Sequence, residues 1–156
     1  MTLVDAGAYA IHLLFAGLWA GSVLFAWYAV LPLAREGDLN AAPLGSVAGK
    51  LKRVSRTSAL LLLLTGGHMA AQRYTVESLT GSGGGHLVLT MLVLWFVLAG
   101  LVEVGTGKLA DGTDRQKVRE PAREAGRLFQ AGALVAVLLL LNAGVLVANG
   151  LGLVAV

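Results

Sequence analysis

Residues 6–32 read AGAYAIHLLFAGLWAGSVLFAWYAVLP, a run with no Lys, Arg, Asp or Glu that closes on Pro32. About 30 Å of hydrocarbon is crossed by roughly 20 apolar residues in a helix. In lipid, backbone groups must be satisfied within their own segment, so a helix is the only sensible conformation for such a run. No basic residue precedes it, and it is longer than the apolar core of a signal peptide. It is therefore expected to be a retained membrane-spanning helix over about 6–32.

Three further apolar runs follow, with helices expected at about 57–77, 86–107 and 127–155. The second is the most dilute, because Gly66, Gly67, His68 and Gln72 interrupt its leucines. Composition agrees with the pattern. Of 156 residues, 56% are hydrophobic and 13% charged, against about 25% charged in soluble domains, and the mean hydropathy is +0.76. The fold class expected is all-α: an integral membrane four-helix bundle, one domain over 1–156, multi-pass in the cell membrane. The chain has no cysteine, which excludes disulfides, Fe–S clusters, thiolate metal sites and cysteine nucleophiles.

Orientation follows from the basic residues. Arg35, Lys50, Lys52, Arg53 and Arg56 fall in the loop expected at 33–56. Lys108, Arg115, Lys117, Arg119, Arg123 and Arg127 fall in or beside the loop expected at 108–126. Only Arg73 lies elsewhere. Lys and Arg accumulate on the cytoplasmic side, so both loops are expected inside and both termini extracytoplasmic. Within the first loop, Leu44, Val47, Leu51 and Val54 recur at helical spacing between Pro43 and Arg56. This pattern reads as a short amphipathic helix on the cytoplasmic surface, leading into the second span, or as an ordinary charged connector. Pro121 is suited to the first turn of a cytoplasmic extension of the last helix. Gly81–Gly85 reads as a flexible outer loop; it lacks the Lys and Ser/Thr of a phosphate-binding loop. Gly17 and Gly21, with Gly144 and Ala148, have the small-xxx-small spacing that lets helices approach closely.

The chemistry-bearing residues sit on one side. His12 is about 9 Å into the first helix at 1.5 Å per residue, His68 lies at a similar depth in the second, and His86 opens the third. All three belong to the outer half. An ionisable group inside a membrane is a functional-site hypothesis, and without cysteine a metal or haem would rely on His, Met or carboxylate. Met69 adjoins His68, Met91 lies below His86, and Met1 is on the same side. Thioether plus imidazole suits copper, Cu(I) above all. Gly66 and Gly67 remove bulk beside His68, where a flat macrocycle or a neighbouring helix would approach. The plainer alternatives stand beside these. His12 and His68 would serve as polar glue between helices, with Thr65, Thr90 and Asn142; His86 would be an interfacial residue; the methionines would be packing. Glu103, near the inner end of the third helix, is either part of an ion path or a carboxylate reaching the interface.

Ile11–Gly21, with its His12 and Trp19-Ala20-Gly21, followed by Leu31-Pro32, resembles the copper resistance protein D (CopD) domain. That family opens with a His, then a Trp-x-Gly seven to nine residues on, then a Pro at the helix end. Ser55–Leu60 and Thr65-Gly66 look like its second helix, so the resemblance covers roughly the first three helices. It implies a four-helix membrane module in copper handling, with His12 matching the family's helix-one His. Many relatives carry a Lys in helix three, and Leu89-Thr90-Met91 has none. The chain is also similar in helix one to the HemJ-type protoporphyrinogen oxidases, which bind haem and whose His would map to His12.

The function expected is copper binding, transport or resistance at an outer site of His12, His68, Met69 and His86. A b-type haem with His12 and His68 as axial ligands is the alternative, and a structural or assembly subunit is the third reading. No catalytic residue is assigned, and enzymatic activity is left open. The partners expected are the lipid bilayer and copper or haem, with a homo-oligomer left open and no nucleic acid.

Overall fold

The computed structural model describes residues 2–155; Met1 therefore lies outside the described residues. The elements are α1 (Leu3–Phe25), a π-helical stretch (Ala26–Val30), α2 (Leu31–Glu36), α3 (Ala41–Arg73), α4 (Val76–Gly81), α5 (Gly83–Asp114) and α6 (Arg119–Gly150).

The first rod starts on a capping box. The Thr2 hydroxyl accepts the Asp5 N–H (3.2 Å) and the Asp5 carboxylate accepts the Thr2 N–H (2.7 Å). The rod does not end at Pro32, as expected, but continues to Glu36. Proline lacks an N–H and its ring crowds the carbonyl four residues back. The preceding turn is widened, and the Leu31 N–H reaches the Ala26 carbonyl five residues back. The rod stops at Gly37, whose φ of 91° is a left-handed conformation that costs glycine nothing. The N–H groups of Gly37 and Asp38 both close on the Leu33 carbonyl there (3.1 and 2.9 Å).

The short amphipathic helix expected at 43–56, leading into the second span, is the first half of α3, which runs unbroken to Arg73. Of its apolar stripe, Leu44 and Leu51 face the bundle while Val47 is exposed. Leu44, Ala48 and Leu51 are buried with Ala41, Ser55, Ser58 and Leu62 in one helical seam against the bundle. The loops expected at 33–56 and 108–126 accordingly shrink to 37–40 and 115–118. The glycine-rich segment expected to be a flexible loop is also folded. Ser82 accepts the Gly85 N–H (3.0 Å) to cap α5, and Gly84 and Gly85 are buried in its first turn. A Cβ on Gly85 would overlap the Leu79 carbonyl, so that close turn requires glycine.

Three rods are long and apolar enough to cross a membrane: Leu3–Glu36, Gly83–Asp114 and Arg119–Gly150. The chain is thus an all-α bundle with the features of a multi-pass membrane protein. α3 has the length, 33 residues, but polar residues dilute its apolar run. The long helices close a ring, α1 against α3 and α6, and α5 against α3 and α6. Neighbours are antiparallel, since rising numbers on one meet falling numbers on the next: Trp19 with Ser55 and His12 with Thr65, then Arg56 with Glu103 and Ala59 with Trp95, then Lys108 with Glu124 and Leu87 with Asn142.

Trp19, Val23, Leu98, Val102 and Phe129 form the middle of the core. Small residues bring α5 and α6 together, as expected where lipid supplies no hydrophobic drive between helices. Phe129 lies over Gly105, and Pro121 over Gly112. Gly17 and Gly21 behave differently: both are exposed, and the space a Cβ would take is open for 4 Å. Their spacing makes no close helix contact within this chain.

Candidate functional site

Asp5, His12 and Trp19 are seven residues apart, a spacing that returns to the same helix face. That face of α1 meets α3, and each of the three side chains bonds across the seam. Trp19 Nε1–H donates to Ser55 Oγ (2.8 Å), His12 Nδ1 meets Thr65 Oγ1 (2.8 Å), and His68 Nε2 meets Asp5 Oδ1 (3.1 Å). Trp19 is fully buried, whereas His12 and His68 are half-buried.

The His12 contact has a defined direction. Thr65 owns one hydroxyl proton and directs it to the Leu61 carbonyl (2.6 Å). Thr65 can then only accept from His12, so the proton of a neutral His12 sits on Nδ1. Nε2 is left with its lone pair, the state a metal requires of imidazole. The ring lies flat against α3 because Gly66 is beneath it: a Cβ there would stand 3.0 Å from His12 Cε1. The bulk removed at Gly66 is thus occupied by His12 itself. Gly67 faces open space.

Asp5 already accepts the Thr2 N–H and the Thr2 hydroxyl (2.9 Å). It stands just before the apolar run that begins at Ala6. A carboxylate only accepts, so His68 Nε2 is the donor of their pair. Met69 is half-buried beside His68 and Met91 half-buried on α5. His86 is exposed and donates Nε2–H to the Thr80 carbonyl (2.8 Å) across the α4–α5 corner.

Glu103 lies toward the other end of the bundle. It accepts two bonds from Arg56, from Nη2 (2.6 Å) and Nε (3.1 Å), and pairs with Lys52 Nζ (2.9 Å). A carboxylate clasped by a two-toothed guanidinium and an ammonium ties α5 to α3. Asn142 Nδ2–H donates to the Leu87 carbonyl (2.9 Å) and Trp95 Nε1–H to the Ala59 carbonyl (3.2 Å), further bonds between helices.

The α1–α3 seam therefore gathers His12, Thr65, Gly66, His68 and Asp5, while His86 and Glu103 stand apart from it. Among the described residues no group of three His, Asp or Glu side chains assembles to hold a metal ion. The roles of Asp5 and Ser55 are not apparent from hydropathy. The seven-residue spacing of Asp5, His12 and Trp19 is the signal that would have found the seam. No family model, curated protein or solved structure matches the chain.

Proposed function

We propose that this chain is a copper-handling membrane protein, that it crosses the bilayer four times with both termini outside, and that His12 is its working ligand. The observation that carries the reading is the free Nε2 of His12, oriented by Thr65 and set within an apolar helix. A partner on the other ring nitrogen of a metal-binding His fixes its tautomer and raises its basicity. Copper here is cargo, and a passing ion must be held loosely enough to leave. One oriented imidazole, with Met69 one turn beyond Thr65 on α3, suits that use better than a closed cage. His68 and His86 serve as outer-side residues along the approach. The resemblance of Ile11–Gly21 to the CopD domain supports the same assignment.

Haem is the alternative occupant of that Nε2, and the residues fit it less well. His68, the opposite axial ligand in that reading, spends its Nε2–H on Asp5, and the room over Gly66 is filled by the His12 ring. The structural reading has an observation in its favour: His12 and His68 both tie α1 to α3.

Purified protein loaded with Cu(I) and, separately, with haem distinguishes the three. Copper bound by the parent is expected to be lost in His12→Ala. Thr65→Val is expected to weaken it about 10–100-fold, the usual cost of removing the group that orients a metal-bound His. A Soret band lost in His12→Ala would replace copper by haem. Folded protein that takes up neither would leave the histidines as helix ties.

The fourth crossing is α3. Ser55, Thr65 and His68 bond to α1 and Lys52 and Arg56 to α5, which lowers the cost of these groups in lipid. Eleven of the twelve basic residues fall on the side taken as cytoplasmic. Because the chain has no cysteine, single cysteines report topology cleanly. Glu77→Cys is expected to react with an impermeant maleimide in intact cells, and Asp38→Cys only after permeabilisation. Labelling of both from one side would remove the crossing by α3, and the reverse pattern would invert the orientation.

A further inference from the structure

A groove of about 530 Å³ runs between the π-helical stretch and α6. Leu24, Trp27, Leu134 and Val137 line its apolar part, and Arg127 and Gln130 stand at one end. From Arg127 to Val137 is ten residues, about 15 Å along a helix, which is half of a hydrocarbon core of about 30 Å. The groove thus has the reach of a single leaflet, polar at one end and apolar beyond it.

The polar end is rich in unused donors. Among the described residues, Arg127 is in no ion pair, nor are Arg123 one turn before it and Arg35. Arg35 lies against Gly126 of the same helix, with Nε–H toward the Ala122 carbonyl (3.4 Å). The nearest carboxylate along α6, Glu124, is held by Lys108 (3.2 Å). The Trp27 indole N–H, unlike those of Trp19 and Trp95, donates to no acceptor among the described residues, and the residue is 36% exposed. One cation without a counter-ion in the groove wall, two more close by on α2 and α6, and an amide and an indole N–H beside an apolar channel call for an anion that carries a hydrocarbon chain.

We propose that this groove is a binding site for an anionic phospholipid. Its phosphate is received by the Arg127 guanidinium and the Gln130 amide, with Arg123 and Arg35 supplying further positive charge. Trp27 sits at the level of the ester groups, where amphipathic rings are favoured. One acyl chain follows Leu24, Leu134 and Val137. The net negative charge is the selective element, since a zwitterionic headgroup offers the same phosphate but adds a cation beside Arg127 and its basic neighbours. The assignment to the cytoplasmic leaflet rests on the orientation proposed above; binding does not, because it is measured in detergent.

The test is native mass spectrometry of the purified protein in detergent, titrated with phosphatidylglycerol or phosphatidylcholine of matched chains. The parent is expected to retain phosphatidylglycerol preferentially. Arg127→Gln is expected to lower that retention about fivefold, the loss typical of one basic contact to anionic lipid. Lys50→Gln, an exposed cation on α3, is expected to leave it unchanged. Ala131→Phe, which fills the groove from an exposed position, is expected to abolish retention of the lipid with helicity intact. Equal retention of the two lipids would overturn the proposal. So would Arg127→Gln behaving as Lys50→Gln does, or Ala131→Phe retaining lipid as the parent does. Cysteine labelling that inverted the orientation would change the leaflet and leave the site.

Discussion

Trp19→Ala is expected to destabilise the bundle by about 3–5 kcal/mol, the range for truncating a buried large aromatic residue. Trp19 is 2% exposed and sits where α1 meets α3. In a bilayer the loss is not one of water exclusion, because lipid chains are as apolar as the core. It is a loss of close contacts, which a void the size of an indole cannot replace. The bond to Ser55 contributes little of this, about 0.6 kcal/mol for a typical bond between membrane helices. Trp19→Phe, which drops the bond and keeps most of the volume, is therefore expected to cost far less than Trp19→Ala. Unfolding in mixed micelles of rising SDS fraction, followed by far-UV ellipticity, measures both. Equal losses in the two variants would assign the effect to the hydrogen bond and refute the packing account.

The second large effect is expected at the α5–α6 contact. Phe129 is 1% exposed, and a Cβ added at Gly105 would stand 2.8 Å from its Cε2. Phe129→Ala opens a cavity at an expected cost of about 3–5 kcal/mol. Gly105→Leu forces the ring out of place at an expected cost of about 1–3 kcal/mol. The double variant puts the leucine into the space the ring vacates, so the two costs are expected to fall short of additivity by about 0.5–3 kcal/mol. The same SDS titration, run as a cycle, reads the coupling. Strict additivity would mean that Gly105 and Phe129 do not share the space assigned to them.

These two sites differ in how far they were visible beforehand. Trp19 lies in the middle of the apolar run 6–32, so its place in a helix is legible from its neighbours. Nothing near Gly105 announced that it receives Phe129, because the two are brought together by the approach of two helices. The same holds for the glycines of 81–85. Read as a chain, they are a flexible loop; folded, Gly85 is pressed against the Leu79 carbonyl. The amphipathic stripe of 43–56 was visible, but the partner it buries against was not. An apolar stripe beside basic residues suits a membrane surface and a helix bundle equally. The neighbouring helices, supplied by distant parts of the chain, decide between them.

The candidate site divides in the same way. His12, His68 and their placement toward one end of the bundle are matters of residue type and position along apolar runs. The bonding state of His12 is not. It depends on Thr65, 53 residues away, and on Thr65 having given its proton to Leu61. Glu103 was legible as a carboxylate near one end of a helix, while its clasp by Arg56 and Lys52 needed α3 packed alongside.

The apolar run 6–32 and its three successors settled what could be settled locally: an all-helical chain built for a membrane, with histidines on one side and basic residues on the other. Hydropathy and helix formation are properties of contiguous residues, so they can be read in order along the chain. The tertiary structure decided the rest. It carried the first helix past Pro32, made one helix of 41–73, placed Gly17 and Gly21 outward, and left His12 with its lone pair on Nε2. Each of these depends on backbone geometry or on side chains brought from far along the chain, and close packing, not local preference, determines which of them meet.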